Sequence, residues 1–180
     1  MNYLLEGQTS QRLCFRLLTP ADADTWIEFC RHPLSNKYWH LHPPETPDQR
    51  CKVLLETTFD RYASGKGGMN VLIDKQTRVF IGLCGLLIQV VDGLEELEVG
   101  YAIMPDFWNR GYATEAASKC VLHAFENGWR DSVISIIHEQ NIESQKVALK
   151  NKMKLEKATV YKNNPVKIFR ITKKDHSIPG

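Results

Sequence analysis

The stretch from Pro105 to Ala116 constrains the fold more than any other part of this sequence. An alternating apolar run, Leu97 to Ile103, precedes it, and apolar residues at helical spacing follow it. This change of period predicts a strand that enters a helix through a short turn. The first amides of a helix lack partners within it and lie at the positive end of its dipole, which suits a phosphate group. Gly111 and Ala113 are small enough for such a site, although a tight turn before a buried helix explains them equally well.

The run from Gly100 to Ala116 resembles the pyrophosphate-binding motif of the GNAT superfamily, the acetyl-CoA-dependent N-acetyltransferases. That motif reads Gln/Arg-x-x-Gly-x-Gly/Ala, and here Trp108 occupies its first position, with Gly111 and Ala113 in the other two. Tryptophan in that place, followed by Gly-Tyr-Ala-Thr-Glu-Ala, is typical of the branch that contains the ribosomal-protein alanine acetyltransferases RimJ and RimL. The segment from Gln11 to Leu18 is similar to the opening strand of the same branch.

Length and charge limit the number of domains and the kinds of partner. A chain of 180 residues with 43% hydrophobic content suits one full core and is too short for two ordinary domains. We expect a single domain over residues 1–174 and a flexible tail over residues 175–180. The formal charge of +2 is close to balance, so neither a nucleic acid nor a membrane is expected as a partner.

The cysteines indicate a reducing compartment. They are widely spaced, odd in number and embedded in apolar patterns, and no Cys-x-x-Cys pair occurs, which favours buried thiols over disulfides or a metal site. Neither a secretory signal nor an apolar run long enough to span a bilayer is evident, so we expect a cytoplasmic protein. The five cysteines are Cys14, Cys30, Cys51, Cys84 and Cys120.

Capping signals predict four helices. Thr19-Pro20 and Thr46-Pro47 each place an N-cap before a proline at the first helical position. The central helix follows the turn at Gly111 and ends near Gly128, and Asn141 begins a further helix. Gly65 to Gly68 lacks the spacing of a phosphate loop and is expected to be a flexible connection.

Period-2 patterns predict seven strands, with a hairpin signal at Asp92-Gly93 and a second hairpin turning over Asn163 to Pro165. The resulting order β, α, α, β, β, β, α, β, α, β, β is the order that a GNAT fold requires. The resemblance implies an α/β (α+β) fold whose central mixed, mostly antiparallel sheet splays at a cofactor notch beside the central helix. The predicted strands cover residues 11–18, 71–74, 79–91, 94–103, 133–138, 154–161 and 166–172.

The resemblance also implies where acetyl-CoA binds. In GNAT proteins the pantetheine lies in the notch, hydrogen-bonded by the backbone of the strand that here ends at Ile103. Asn141 and Ser144 resemble the Asn-x-x-Ser that lies beside the pantetheine and the thiol, although both also fit a helix N-cap and first turn. The residues expected to hold the pyrophosphate are Asn109, Arg110, Gly111, Tyr112, Ala113 and Thr114.

Acetyl transfer needs an unprotonated amine, a stabilised oxyanion and a proton for the leaving thiolate. A lysine amine is unprotonated in only about 0.04% of molecules at pH 7, whereas an α-amine is unprotonated in roughly 15%. Glu98 is the candidate base, acting directly or through a water, with a solvent-facing acid as the alternative interpretation. Glu96 points to the same side of its strand, so two acids are expected to line one surface.

Two departures from the family pattern affect the acid and the acceptor side. Many GNAT enzymes carry a tyrosine acid where this chain has Ala148, and the usual Lys-x-Gly-Phe is absent after it. Ser144 or water is therefore expected to protonate the thiolate. In this branch the loop between the first two helices helps to form the acceptor pocket, although packing against the domain is the alternative for its aromatic residues. The candidates for substrate contact are Tyr38, Trp39, His40 and His42, together with Glu96.

Two classes of function follow. The first is an acetyl-CoA-dependent N-acetyltransferase that moves an acetyl group to a primary amine, on a protein N-terminus or a small molecule, by direct attack in a ternary complex. The second is a non-catalytic acyl-CoA-binding or regulatory protein that kept the cofactor site. Edge strands near the C-terminus are compatible with a homodimer.

Overall fold

One mixed sheet of seven strands, in the order β1-β2-β3-β4-β5-β7-β6, forms the centre of the molecule. The computed structural model describes residues 3–38 and 46–176. Neighbouring strands are antiparallel, except that β4 and β5 are parallel. The strands are β1 (Leu13–Leu17), β2 (Gly67–Asp74), β3 (Phe80–Val91), β4 (Leu94–Ile103), β5 (Ser132–His138), β6 (Lys154–Tyr161) and β7 (Asn164–Thr172).

The helices begin where the capping signals predict. The Thr46 hydroxyl accepts a hydrogen bond from the amide of Gln49, and Pro47 is the first helical residue. At Thr19 the predicted start forms a 3₁₀ turn, Pro20–Asp22, before the α-helix. The helices are α1 (Ala23–Arg31), α2 (Pro47–Ala63), α3 (Tyr112–Glu126), α4 (Ile142–Lys150) and the short α5 (Lys173–His176).

Apolar side chains cover both faces of the sheet. Successive strand residues point to opposite faces, so Val71 packs with α1 and α2, whereas Leu72 packs with α3. Trp26 of α1 and Cys120 of α3 are fully buried in these two layers. The fold is therefore the α/β arrangement predicted from the sequence, a mostly antiparallel seven-stranded sheet between helices.

β4 and β5 separate soon after they meet. Their only paired residues in the described chain are Glu98 and Ile134. β4 continues to Ile103, pairing on its other side with β3 but no longer with β5. The divergence opens a notch in the middle of the sheet, beside the N-terminus of α3, which confirms the predicted splay.

Three local predictions were wrong. Gly67 and Gly68 belong to β2 rather than to a flexible connection, because the backbone at Gly67, with φ +74°, pairs so closely with β3 that a Cβ there would overlap the carbonyl oxygen of Leu86. The last hairpin turns at Lys162 and Asn163, both at positive φ, so Asn164 and Pro165 lie in β7.

The third difference concerns the C-terminal end. Asp175 was expected in a flexible tail, but it lies in α5, where it accepts a hydrogen bond from the Thr172 hydroxyl and pairs with Lys154 at 2.6 Å. Residues 177–180 of the expected tail lie outside the described residues. Within the described ranges, no helix combines the length and apolar character that crossing a membrane requires.

Candidate active site

Trp108 fixes the turn between β4 and α3, residues 104–111, to the end of β4. Its indole nitrogen donates a hydrogen bond of 2.6 Å to the carbonyl of Ile103, the last residue of β4. Asn109 and Gly111 then adopt positive φ angles of 60° and 80°. Glycine tolerates this region without strain and asparagine better than most residues, which is why the chain can reverse direction here.

The amides that follow the turn are available to a ligand. Among the described residues, the amides from Asn109 to Thr114 have no hydrogen-bond acceptor, and the first amide of α3 with a partner is that of Glu115, which donates to Gly111 O at 3.0 Å. These amides lie at the positive end of a 15-residue helix. Their number and position suit an anionic group such as a pyrophosphate.

Glu115 ties this turn to the start of the sheet. Its carboxylate accepts hydrogen bonds from the Ser10 hydroxyl and from the backbone and guanidinium of Arg12, at 2.6 to 2.7 Å. Arg12 also donates to the carbonyl of Arg110. Burial alone would raise the pKa of Glu115, but the hydrogen bonds from Ser10 and Arg12 outweigh it, so the pKa is lowered. The turn is thus braced while its amides face outward.

A cavity of about 450 Å³ lies against the turn and the open edge of β4. Arg110 does not line it; its guanidinium lies over the ring of Phe107, which does line it, 5.6 Å from the ring centroid. The other predicted cofactor residues all line it: Ile103, Asn109, Gly111, Tyr112, Ala113, Thr114, Asn141 and Ser144.

A second cavity, of about 260 Å³, lies on the other side of the notch and contains Glu98. Residues of α2, β3 and the β6–β7 turn form its outer walls. The two cavities meet in the notch, where four residues line both: Tyr38, Tyr101, Asn141 and Ser144. The structure therefore provides two adjoining compartments, one lined by helix amides and the other by a carboxylate.

Glu98 is not the solvent-facing acid of the alternative interpretation. Burial raises the pKa of its carboxyl group, against the opposing effects of a hydrogen bond from Gln89 and the positive charge of Arg61. The Gln89 amide nitrogen donates to Glu98 at 2.7 Å. The Gln89 amide oxygen accepts from Arg61 at 3.0 Å and from the Tyr161 hydroxyl at 2.8 Å. This network holds a carboxylate with a raised pKa in the cavity wall, where it can take up a proton.

Asn141 and Ser144 lie at the start of α4 and line both cavities. Asn141 caps α4, since its side-chain oxygen accepts the amide hydrogen of Ser144 at 3.1 Å. The Ser144 hydroxyl has no hydrogen-bond partner in the described part of the chain, and the residue lines both cavities. A hydroxyl with a free proton at the junction can supply that proton to a leaving group.

Tyr101 is a site residue that the sequence reasoning missed. Its hydroxyl donates to the carbonyl of Ser144 at 3.1 Å across the notch, and burial raises its pKa. The hydrogen bond links the diverging end of β4 to the first turn of α4. The signal was a tyrosine directly after Gly100 on the strand that leads into the turn, but its partner is 43 residues away.

The predicted acceptor contacts divide into three groups. Tyr38 lines both cavities, with its ring centroid 5.2 Å from that of His138. Trp39, His40 and His42 lie outside the described residues. Glu96 lines neither cavity, because Arg170 binds both of its carboxylate oxygens at 2.7 and 3.0 Å. The prediction that two acids line one surface was therefore wrong for Glu96.

Among the described residues, no cluster of three or more histidine, cysteine, aspartate or glutamate side chains could hold a metal ion. The cysteines lie in the core as predicted, except that Cys14 is half-buried, and none is in a disulfide. Neither cavity is lined by a cysteine.

Comparison with known proteins identifies the family. The model of the acetyltransferase (GNAT) domain matches residues 12–154. The uncharacterized protein YkkB of Bacillus subtilis is 31% identical over 96 residues, which are 53% of this chain and 56% of that protein.

Solved structures share the fold. An acetyltransferase from Agrobacterium tumefaciens superposes with a TM-score of 0.79 at 20% identity, covering 96% of this chain and 98% of that one. The spermidine N-acetyltransferase of Vibrio cholerae, in complex with CoA and spermine, has a TM-score of 0.72 at 18% identity, covering 92% and 98%. Because the domain model covers most of the chain, this protein belongs to the GNAT family of acetyltransferases, which use acetyl-CoA to acetylate amines.

Proposed function

We propose that this protein transfers the acetyl group of acetyl-CoA directly to a primary amine in a ternary complex. The observation that carries the proposal is the meeting of two cavities at Tyr101 and Ser144, one lined by partnerless helix amides and the other by Glu98. A direct transfer needs both reactants in contact within one site.

The first cavity fits acetyl-CoA. The amides from Asn109 to Thr114 would hold the pyrophosphate, and Arg110 would add positive charge at the rim. The unpaired edge of β4 up to Ile103 would hydrogen-bond the pantetheine, since its backbone groups lack a neighbouring strand. Asn141 and Ser144 would lie beside the sulfur. Bound acetyl-CoA supplies the acetyl group as an activated thioester.

Glu98 acts as the general base. Its carboxylate accepts the proton that the amine nitrogen loses as that nitrogen bonds to the acetyl carbon, directly or through a water. The raised pKa suits this role, because a carboxylate of ordinary pKa is a weak proton acceptor near neutral pH.

Ser144 donates a proton to the sulfur as the carbon–sulfur bond breaks, and water reprotonates the resulting alkoxide. The proton that Glu98 took from the amine returns to solvent and neutralises the hydroxide formed, so both groups are restored. Tyr101 is a positioning residue, since its single hydroxyl proton is already donated to the Ser144 carbonyl. The missing tyrosine at Ala148, which is buried, leaves the serine as the side-chain donor nearest the expected position of the sulfur.

Trp108 and the sequence from Gly111 to Ala116 support placing the chain in the RimJ/RimL-like branch, and hence an N-terminal amine as one class of acceptor. Small amines are the other class, in keeping with the named substrate of the Vibrio cholerae relative.

An acceptor screen tests the function. Thiol release from acetyl-CoA is measured with the full chain against N-terminal peptides, lysine analogues and small amines. Release above the hydrolysis background with at least one acceptor is expected. Tight CoA binding without release for any acceptor would instead favour a non-catalytic acyl-CoA-binding protein.

A further inference from the structure

The second cavity contains two cations besides its single carboxylate. Arg61 enters it from α2 and Lys162 from the β6–β7 turn. Within residues 3–38 and 46–176, neither cation forms an ion pair with a carboxylate. With Glu98 ionised, the charges of Arg61, Lys162 and Glu98 sum to +1.

Neutral groups hold Arg61 in place. Its guanidinium donates to the carbonyls of Ile88 and Lys66, at 3.0 and 3.3 Å, and to the Gln89 side chain. Carbonyl and amide oxygens orient the guanidinium but do not neutralise it. The Glu98 carboxylate, at the other end of the Gln89 amide, interacts with the charge of Arg61, but one carboxylate compensates only one of the two cations, so a net positive charge stays available to a ligand in the cavity.

Lys162 adds to this charge at the cavity rim. Burial and the positive charge of Arg61 both lower the pKa of Lys162, and the negative charge of Glu98 opposes them, so the two cations repel each other even with this carboxylate nearby. An anion placed between them would relieve that repulsion. The ammonium lies over the Tyr161 ring, 5.2 Å from the ring centroid, which leaves it exposed on its other side.

We propose that the acceptor is a small amine that also carries an anionic group, a carboxylate or a phosphate, which Arg61 and Lys162 bind while Glu98 receives the amine. This inference rests on the proposed function. It separates the protein from enzymes that acetylate polyamines, because a polyamine keeps additional positive charge that Arg61 and Lys162 would repel.

Gln89 sets the spacing between Glu98, which receives the amine, and Arg61, which binds the anionic group. Its amide nitrogen binds Glu98 and its amide oxygen binds Arg61, so base and guanidinium lie at opposite ends of one planar group. An acceptor whose amine and acid are a few bonds apart spans such a separation. Leu54, Met69 and Leu87 line the remaining wall, which suits an apolar side chain on the acceptor.

The test compares acceptors with and without an anionic group. kcat/KM for acetyl transfer by the full chain, referred to the unprotonated amine, is measured for amino acids and their carboxamides, for an amine that carries a phosphate and the same amine with a hydroxyl in its place, and for spermidine. We expect an amino acid or the phosphate-bearing amine to exceed its uncharged counterpart at least tenfold, and spermidine to be the poorest acceptor. The preferred acceptor shows whether the anionic group is a carboxylate or a phosphate.

The Lys162→Gln variant tests whether Lys162 is responsible for the preference for acids. It is expected to lower the acid-to-carboxamide ratio of kcat/KM at least fivefold. Lys52→Gln is the matched control, since Lys52 is an exposed lysine of α2 outside both cavities, and its ratio is expected to stay unchanged. Arg61 is less suitable for substitution, because its bonds to two backbone carbonyls also support the fold.

The outcomes separate the two proposals. Equal rates for acids and carboxamides, or a ratio that Lys162→Gln leaves unchanged, would overturn the inference while the turnover itself upheld the proposed function. If none of the acceptors led to release of CoA above the hydrolysis background, the proposed function would be rejected. The anion preference would then be judged by calorimetric titration of the same acids and carboxamides into the CoA-bound protein, where equal affinities would reject it.

Discussion

At the scale of single residues, the environment of Glu98 determines what the second cavity can do. A glutamate on an antiparallel strand is most often exposed and ionised, with an ordinary pKa. Here burial raises the pKa, and the Gln89 amide, held by Arg61 and Tyr161, orients the carboxylate. Gln89 thus positions the carboxylate of Glu98, and it has no identifying motif in the sequence.

Glu98→Gln is expected to lower kcat/KM about tenfold for an α-amine acceptor and by on the order of 10³ for a lysine-like amine, because these amines differ in their unprotonated fraction. In the wild type the rate rises with pH through the raised pKa of Glu98, since only the carboxylate accepts a proton. Thiol release measured between about pH 5 and pH 9 should lose this rise in the variant.

The melting temperature of the Glu98→Gln variant shows whether a loss of activity comes from a loss of folding stability. Because the folded-state pKa of Glu98 is raised, the stability that its protonated form contributes is present below the unfolded-state pKa and is lost as pH rises through the folded-state value. Glutamine resembles the protonated acid, so the melting temperature of Glu98→Gln at pH 8 should not fall. The same pH dependence of rate in both proteins would show that another group is the base.

At the scale of elements, the β4–α3 turn combines a rigid support with free amides. Trp108 fixes one end by its bond to Ile103, and the Arg12–Glu115 pair fixes the other. Acid pH weakens the second support, because the lowered pKa of Glu115 means that its contribution is lost as pH falls through the folded-state value. The helix amides are therefore preorganised for an anion near neutral pH.

Gly111→Glu is expected to weaken CoA binding at least tenfold, because it adds negative charge and a side chain at the positive end of α3. Gly93→Glu is the matched control: both glycines have φ +80°, so the backbone strain is the same, and Gly93 lies in the β3–β4 hairpin away from both cavities. Calorimetric titration with CoA measures both. Unchanged affinity in Gly111→Glu would refute the assigned pyrophosphate site.

Prediction from sequence succeeded where local pattern and pairing agree. β4 and β6 have the predicted bounds, because their alternating residues are flanked by strong turn signals. At Gly67 and Gly68 the local preference of glycine favoured a turn, but pairing with β3 prevailed. Tyr101 was missed because its role depends on Ser144, which only the fold brings near.

At the scale of the whole molecule, the sheet separates two apolar layers, and β2, β3 and β4 each contribute buried residues to both. Leu72 is fully buried in the layer under α3, and Leu83 is fully buried in the layer under α1 and α2. A sheet with both faces buried couples these layers, since loss of either one exposes the same strands. The single domain expected over residues 1–174 should therefore unfold as one unit.

Leu72→Ala and Leu83→Ala are each expected to lower the free energy of unfolding by about 2–5 kcal/mol, from lost burial and the cavity left behind. Urea unfolding followed by circular dichroism and by tryptophan fluorescence should show one coincident transition that both variants shift. Leu94→Ala, at a side chain that is 63% exposed, should change stability by less than about 0.5 kcal/mol. Separate transitions in the two signals would contradict a single cooperative domain.

The expected homodimer stays a prediction. β6 is the outer strand of the sheet, and its Leu155 and Val160 side chains are exposed. An unpaired strand edge with apolar residues can join another sheet. Sedimentation of the protein with and without CoA would measure the oligomeric state.

The sequence by itself determined the elements, the sheet class and the β4–α3 turn, because these depend on period, caps and small residues within a few positions of one another. Only the tertiary structure decided the chemistry beside the turn. Burial by distant segments raises the pKa of Glu98, Arg170 removes Glu96 from the site, and Arg61 and Lys162 join the cavity from α2 and the last hairpin. Desolvation and charge pairing depend on distance in space, which local sequence patterns do not record.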